Sequence, residues 1–312
     1  MIRIYLFLIL GLLILFISGR YLVESSVAIA RRLKVPAMII GLTVVALGTS
    51  APELLVSLQA ALSGFPEIAM GNVVGSNISN ILLVLAITAL VYSIPVPASS
   101  VRLDWPVMMA VSLILFFFSM DGLISQFEGI IFILLLAAYL AFAVIQARKN
   151  PPEPDQAEDA PPVMKSWLAI PVFLLSCAGL ALGADLLVDN AALIAEKLGI
   201  SQRVISVTMV AVGTSIPELA TSVIAALKKQ TEIAVGNIIG SNIMNILAVL
   251  GITSAMGGIR VDRAIAHFDI PWMLAVSLIL LFMMLPAARS RITRWEGVIM
   301  IVIYLLYIYL IF

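Results

Sequence analysis

One stretch of this chain occurs twice, and that repetition limits the possible folds more than any other feature. The first copy reads Gly-Thr-Ser-Ala-Pro-Glu from Gly48 to Glu53, then Gly-Asn-Val-Val-Gly-Ser-Asn-Ile-Ser-Asn from Gly71 to Asn80. The second reads Gly-Thr-Ser-Ile-Pro-Glu from Gly213 to Glu218, then Gly-Asn-Ile-Ile-Gly-Ser-Asn-Ile-Met-Asn from Gly236 to Asn245. Glu218 minus Glu53, Thr208 minus Thr43 and Asn245 minus Asn80 all give 165. Roughly 28 of about 47 positions from Gly41 to Ile87 are identical to their partners, without a gap. A repeat of this length is a structural unit used twice.

Each copy puts Pro-Glu inside an apolar run, and composition says what surrounds it. Hydrophobic residues make up 62% of the chain and charged residues 12%, with a mean hydropathy of +1.14. A soluble domain carries about twice that share of charge, so the class is polytopic membrane protein with the lipid bilayer as solvent. The zero net charge argues against a nucleic-acid partner. One cysteine, Cys177, excludes an intramolecular disulfide and a cysteine metal cluster, and one histidine, His267, excludes a histidine-pair site.

A span needs roughly 20 mostly apolar residues, and ten such segments are expected. They are Ile4–Ala30, Ala37–Leu62, Ile68–Tyr92, Trp105–Met120 and Phe127–Ala147, then Trp167–Ala195, Val204–Leu227, Ile233–Met256, Phe268–Ala287 and Trp295–Phe312. The N-terminal run imitates a signal peptide but lacks a small-residue cleavage site and is long enough to span, so it reads as helix 1. The fold class is therefore an all-α membrane protein with a first five-helix repeat at 1–147, a linker at 148–165 and a second repeat at 166–312. Five is odd, so the second repeat is expected to enter the membrane upside down, as in many secondary transporters. The linker holds five prolines and four acids between Asn150 and Lys165 and reads as a disordered tether.

Alternate loops differ in positive charge. One set holds Arg31, Arg32, Lys34, Arg102, Arg148, Lys149, Lys165, Lys228, Lys229, Arg289, Arg291 and Arg294; the other holds Arg3, Lys197, Arg203, Arg260 and Arg263. The richer set is expected in the cytoplasm, which puts both termini outside the inner (plasma) membrane. Trp105, Trp167, Trp272 and Trp295 open their helices and read as interface anchors; Arg20, Glu24, Asp185 and Asp189 read as rim charges, and His267 as a loop residue.

Glu53, Glu218, Asn80 and Asn245 all fall near the middle of expected spans. An acid at the bilayer centre costs on the order of 3 kcal/mol and faces a cavity or a partner. No deep Lys or Arg is available to either Glu, except Arg20 nearer a helix end, which leaves a metal cation as the natural partner. Pro52 has no N–H for the carbonyl of Gly48, and Pro217 none for Gly213, so carbonyls ahead of each proline are free to face a cavity. Thr49, Ser50, Thr214 and Ser215 add hydroxyls in the same turn, and Ser76 and Ser241 add more one turn from Asn80 and Asn245. All are hard oxygen donors, which suit Ca²⁺ or Na⁺ rather than Zn²⁺ or Cu⁺. Two carboxylates match one divalent charge. Gly71-x-x-x-Gly75 and Gly236-x-x-x-Gly240 read as helix-packing motifs.

The paired Gly-Thr-Ser-x-Pro-Glu and Gly-Ser-Asn-Ile-x-Asn segments resemble the two alpha-repeats of the Ca²⁺/cation antiporter superfamily, and the compact prokaryotic sodium/calcium exchanger branch most closely. The resemblance spans nearly the whole chain. It implies an antiporter that exports Ca²⁺ against Na⁺ by alternating access, with no cofactor and no enzyme activity. It implies four ion sites between helices 2, 3, 7 and 8. Glu53 and Glu218 would hold Ca²⁺ with the carbonyls of Thr49 and Thr214. One flanking Na⁺ site would use the Ala46 carbonyl, Thr49, Ser50 and Ser76; its mirror would use the Ala211 carbonyl, Thr214, Ser215 and Ser241. Asn80 and Asn245 would line the centre, and helices 1 and 6 would form a sliding bundle. Asn245 departs from the acid that relatives often carry, which leaves stoichiometry, K⁺ use and proton use open. A Ca²⁺/H⁺ exchanger, a passive channel and an intramembrane hydrolase built on Ser50 or Ser215 stay as alternatives, the hydrolase without a His base or Lys dyad. The expected protein is monomeric.

Overall fold

The computed structural model describes residues 2–63, 67–149, 164, 167–197, 213–285 and 291–311. Apolar runs become helices almost throughout, because a backbone in lipid must satisfy its own hydrogen bonds. In chain order they are α1 (Ile2–Leu33), α2 (Ala37–Thr49), α3 (Ala51–Leu62), α4 (Ile68–Val91), α5 (Ser100–Ser119), α6 (Gln126–Lys149), α7 (Ala169–Lys197), α8 (Ile216–Leu227), α9 (Thr231–Gly257), α10 (Ile265–Met284) and α11 (Arg294–Ile311). Eight of these are long and apolar enough to cross a membrane, and α2 with α3 makes a ninth if the bent pair is one span. Of the helix expected at Val204–Leu227, residues 204–212 lie outside the described residues, as does the linker at 150–163.

α4 and α9 are the central pair. The most apolar window of α9 is wholly buried, whereas α1, α5, α6, α7, α10 and α11 bury a third or less and turn large side chains such as Phe16, Leu134, Leu175 and Phe282 outward. Such a belt suits a hydrocarbon surround. α1 and α7 pack on each other along their length.

Four two-residue strands tie the ends of the helices together: β1 (Ile94–Pro95), β2 (Leu123–Ile124), β3 (Ile259–Arg260) and β4 (Arg291–Ile292). β1 follows α4 and pairs antiparallel with β4, ahead of α11; β3 follows α9 and pairs antiparallel with β2, ahead of α6. Each half thus lends a strand to the other, and α11 packs on the end of α4 as α6 does on α9.

The first glycine of each motif behaves differently in the two copies. A Cβ on Gly236 would lie 2.8 Å from the Met38 carbonyl oxygen, and one on Gly240 would collide with the Leu42 carbonyl oxygen, so both are needed for α9 to touch α2. A Cβ on Gly71 would meet only the Ile265 side chain at 3.9 Å, so close packing does not account for that glycine. Two further expectations are corrected. His267 is helical, within a π-helical turn at Ile265–Asp269 that opens α10. Trp105 lies a turn and a half inside α5, behind another π turn at Ser100–Asp104, and its indole donates to the Ser277 carbonyl at 2.7 Å, so it braces two helices instead of marking an interface.

Candidate functional site

Two helix breaks with the same geometry build the site. α2 ends at Thr49, Ser50 takes φ −82°, ψ 7°, and α3 starts at Ala51, bent by 41° from α2. Ser215 takes φ −84°, ψ 2° ahead of α8. Pro52 and Pro217 sit in the first turn of the new helices, where a missing N–H costs nothing. Glu53 and Glu218 lie in those first turns too, not in the middle of a continuous span. There the unpaired N–H groups and the helix dipole favour negative charge.

Both carboxylates are fully buried, as are Thr49, Ser76, Asn80, Ser241 and Asn245. Side chains of the two repeats bond reciprocally across the breaks. Thr49 Oγ1 donates to Asn237 Oδ1 at 3.0 Å, and Thr214 Oγ1 donates to Asn72 Oδ1 at 3.3 Å. The two asparagines are anchored in turn: Asn72 Nδ2 donates to Ser57 Oγ at 3.0 Å and to the Glu53 carbonyl at 3.3 Å, while Asn237 Nδ2 donates to Ser222 Oγ at 3.1 Å. Asn245 Nδ2 donates to Asn77 Oδ1 at 3.1 Å, and Asn80 Nδ2 to Asn242 Oδ1 at 3.5 Å. Thr49 Oγ1 also lies 3.4 Å from Ser241 Oγ, and Ser76 Oγ lies 3.2 Å from Thr214 Oγ1.

These bonds use up donors and leave acceptors over. Glu53 Oε1 and Oε2, Glu218 Oε2, Asn80 Oδ1 and Asn245 Oδ1 are buried and accept no hydrogen bond among the described residues. Leaving a buried oxygen unpaired costs about 1–3 kcal/mol, more when it is charged. Five of them on four facing side chains make a set that a cation satisfies and that a hydrogen-bond acceptor does not. Each Asn amide has turned its NH₂ outward to a second asparagine and kept its oxygen for the site. Among the described residues no three of His, Cys, Asp and Glu cluster together. The remaining donors to any ion are thus neutral oxygens, the chemistry of Ca²⁺ and Na⁺.

The structure brings together Glu53, Glu218, Asn80, Asn245, Thr49, Thr214, Ser50, Ser76 and Ser241. Ser215 is buried at its break, and its hydroxyl has no partner among the described residues. The Ala46 carbonyl accepts from Ser50 N at 2.9 Å, and Thr49 Oγ1, whose proton goes to Asn237, lies 3.3 Å from it. Ala211 lies outside the described residues. Sequence reasoning missed the supports Asn72, Asn237, Asn77, Asn242, Ser57 and Ser222. All six keep the offset of 165, and the four asparagines stand inside the repeated motif. The asparagines act across the two repeats and the serines anchor Asn72 and Asn237 from a neighbouring helix, and spacing within one helix reports neither.

The chain matches the family described as "Sodium/calcium exchanger protein" over residues 3–145 and 168–312. It is 40% identical to CaxA of Alkalimonas amylolytica, with 98% of each chain covered. It is 34% identical to the sodium/calcium exchanger MaX1 of Methanosarcina acetivorans, covering 99% of this chain and 98% of that one. Among solved structures, the sodium-calcium exchanger NCX_Mj soaked with 100 mM Na⁺ and 10 mM Sr²⁺ superposes with a TM-score of 0.83 at 32% identity, over 99% of this chain and 98% of its own.

Proposed function

The chain belongs to the sodium/calcium exchanger family, and from that premise we propose that it is a secondary antiporter that exports Ca²⁺ in exchange for Na⁺ by alternating access. The single observation that carries this reading is the set of unpartnered acceptor oxygens on Glu53, Glu218, Asn80 and Asn245 at the meeting of two broken helices.

The chemistry follows from charge. Two carboxylates in a dehydrated site sum to −2, which one Ca²⁺ neutralises. Bringing a divalent ion out of water demands that its shell be replaced, and carboxylate, amide and hydroxyl oxygens do that. Na⁺ competes for the same oxygens. Ions of both kinds drawing on one ligand set, with no room for a full complement of each, is the physical basis of obligatory exchange. Thr49, Ser50, Ser76 and the Ala46 carbonyl would serve one flanking Na⁺ position, and Thr214, Ser215, Ser241 and the Ala211 carbonyl the other. Asn72 and Asn237 would fix the threonine hydroxyls, and Asn77 and Asn242 the amide oxygens of Asn245 and Asn80.

The architecture that goes with this is ten helices in two inverted repeats, 1–147 and 166–312, joined by the tether at 148–165. The exchange of strands between halves and the matched breaks at Ser50 and Ser215 support it. α1 and α7, packed chiefly on each other, would slide past the ion-binding helices to switch access. The relative named inner membrane protein YrbG of Escherichia coli, 37% identical over 87% of this chain, supports placement in the inner membrane. A monomer suffices, because both carboxylates come from one chain.

Purified protein in proteoliposomes tests the reading. At one fixed pH, an outward Na⁺ gradient should drive ⁴⁵Ca²⁺ accumulation. Uptake that ignores Na⁺ and follows an imposed pH gradient would replace it with Ca²⁺/H⁺ exchange, and uptake that saturates only with K⁺ present would add K⁺ to the cycle.

A further inference from the structure

Behind the ion site one contact occurs in both halves. Asn242 Nδ2 donates to Met108 Sδ at 3.6 Å, and Asn77 Nδ2 donates to Met273 Sδ at 3.7 Å. Met108 and Met273 are partners at the offset of 165, as are Asn77 and Asn242. All four side chains are buried. The methionines stand on α5 and α10, outside the helices that carry the candidate ion ligands.

The contact has a direction. A thioether accepts hydrogen bonds and donates none, so it takes an amide NH₂ and offers nothing to an amide oxygen. Asn242 therefore turns its NH₂ to Met108 and its Oδ1 to Asn80, whose Nδ2 donates to it at 3.5 Å. Asn80 has then turned its NH₂ away from the site, and its Oδ1 is the buried acceptor without a partner. Reversing both amides would keep one bond between them. It would also put a carbonyl oxygen against the sulfur and aim the Asn80 NH₂ at the ion position, where a donor repels a cation.

We propose that Met108 is a positioning residue for ion binding: it sets the direction of the Asn242–Asn80 amide chain, so that an oxygen and not an NH₂ meets the cation. The inference rests on the reading of Asn80 as an ion ligand. The two halves do not depend on their methionines equally. Asn77 Nδ2 also donates to the Asn242 backbone carbonyl at 3.2 Å, so its direction is fixed twice. Asn242 Nδ2 donates only to Met108 among the described residues. Between ions, the open carboxylate oxygens of Glu53 and Glu218 draw an NH₂ toward the site, and Met108 opposes that reversal.

Calorimetric titration of the full-length protein in detergent with Ca²⁺, without Na⁺ and at one pH, tests it. Met108→Leu removes the acceptor and nearly conserves the volume. It should weaken Ca²⁺ binding about fivefold, the net worth of one hydrogen bond, with the unfolding midpoint near wild type. Met273→Leu should weaken it less, because the Asn242 carbonyl still holds Asn77. Asn80→Asp separates positioning from packing. Both ends of a carboxylate are oxygens, so in that background the direction of Asn242 no longer decides what meets the ion. Met108→Leu should then leave Ca²⁺ affinity where Asn80→Asp alone puts it, whereas a packing defect would lower it by the same factor in both backgrounds. Equal losses in the two backgrounds, or Met108→Leu binding Ca²⁺ as tightly as wild type, overturn the proposal. Absence of saturable Ca²⁺ binding by wild type would instead overturn the ion-site reading on which it rests.

Discussion

Ser50 Oγ donates to Glu218 Oε1 at 3.2 Å, joining the break in one half to the carboxylate of the other. Ser241 Oγ reaches the same oxygen at 3.4 Å. The reciprocal pair does not form. Ser215 Oγ has no partner and Glu53 accepts no hydrogen bond at either oxygen among the described residues. Near-identical sequences at the two breaks therefore produce one carboxylate that accepts from two serine hydroxyls and one that the corresponding serine, Ser215, does not reach.

That asymmetry predicts unequal serines. Removing a hydrogen bond to a charged acceptor costs about 1.5–3 kcal/mol. Ser50→Ala should raise the Ca²⁺ concentration for half-maximal ⁴⁵Ca²⁺/Ca²⁺ exchange, assayed without Na⁺, by about tenfold. Ser215→Ala should move it by less than about threefold by the same accounting, since no bond is lost. Equal shifts in the two variants would show that the difference between Glu218 and Glu53 has no bearing on Ca²⁺ affinity.

The carboxylates themselves allow a sharper test. Glu53→Gln or Glu218→Gln leaves one charge against a dehydrated divalent ion, and an unbalanced buried charge costs about 3–5 kcal/mol. Either variant should abolish Na⁺-driven Ca²⁺ transport while remaining monodisperse in detergent. Glu153→Gln, in the segment between the repeats, should transport like wild type. Wild-type flux in either site variant removes both carboxylates from the proposed site.

The supporting asparagines should behave as coupled pairs. Thr49 with Asn237 share a buried hydrogen bond, and Thr214 with Asn72 a part-buried one. Double-mutant cycles with Thr→Val and Asn→Ala should give coupling of about 1 kcal/mol within each pair. Thr49 with Asn72, which share none of these bonds, should give a smaller value. Thermal unfolding in detergent supplies the measurement, and equal coupling for all combinations would mean that the bonds do not specify partners.

Much of this was legible in the sequence because membranes restrict the backbone to few solutions. Apolar runs set the spans, and Pro52 and Pro217 marked the breaks. The donor types at the site followed from the repeated motif. The π-helical turns at Gly41–Val45, Asn80–Leu85 and Asn245–Leu250 were not legible, because one wider turn leaves the apolar pattern of its neighbours intact. Asn80 and Asn245 each open such a turn. The start of α5 was misplaced for a related reason: Ser100-Val-Arg-Leu-Asp104 reads as loop by composition, yet it is a π turn. The reciprocal bonds of Asn72 and Asn237 join residues more than 140 apart, and no pattern within either helix predicts them.

Packing at the crossing of α2 and α9 gives a contrast within one motif. Gly236→Ala puts a methyl 2.8 Å from the Met38 carbonyl oxygen, on rigid backbone, and overpacking of this kind costs about 1–3 kcal/mol. Gly71→Ala meets only the tip of Ile265 at 3.9 Å. The first substitution should lower the unfolding midpoint and the second should leave it near wild type. A reversed order would show that α4, not α9, makes the closer approach.

Orientation in the membrane is the last prediction. Of the positive charges in loops and at termini, about twelve fall on one alternate set and five on the other by direct count, and positive loops stay in the cytoplasm. The loop at 63–67 should therefore face outside, together with both termini, and the Lys228–Lys229 turn should face the cytoplasm. These sites correspond in the two repeats, since 228 − 165 is 63, so an inverted repeat must put them on opposite faces. The native Cys177 is half-buried and is replaced by alanine first. Single cysteines at Gly64 and Lys229 are then exposed to an impermeant maleimide on intact cells. The cysteine at 64 should label at once, and the one at 229 only after permeabilisation. Reversed labelling would invert the whole molecule without changing its fold, whereas labelling of both sites on intact cells would mean that the two repeats enter the membrane the same way round.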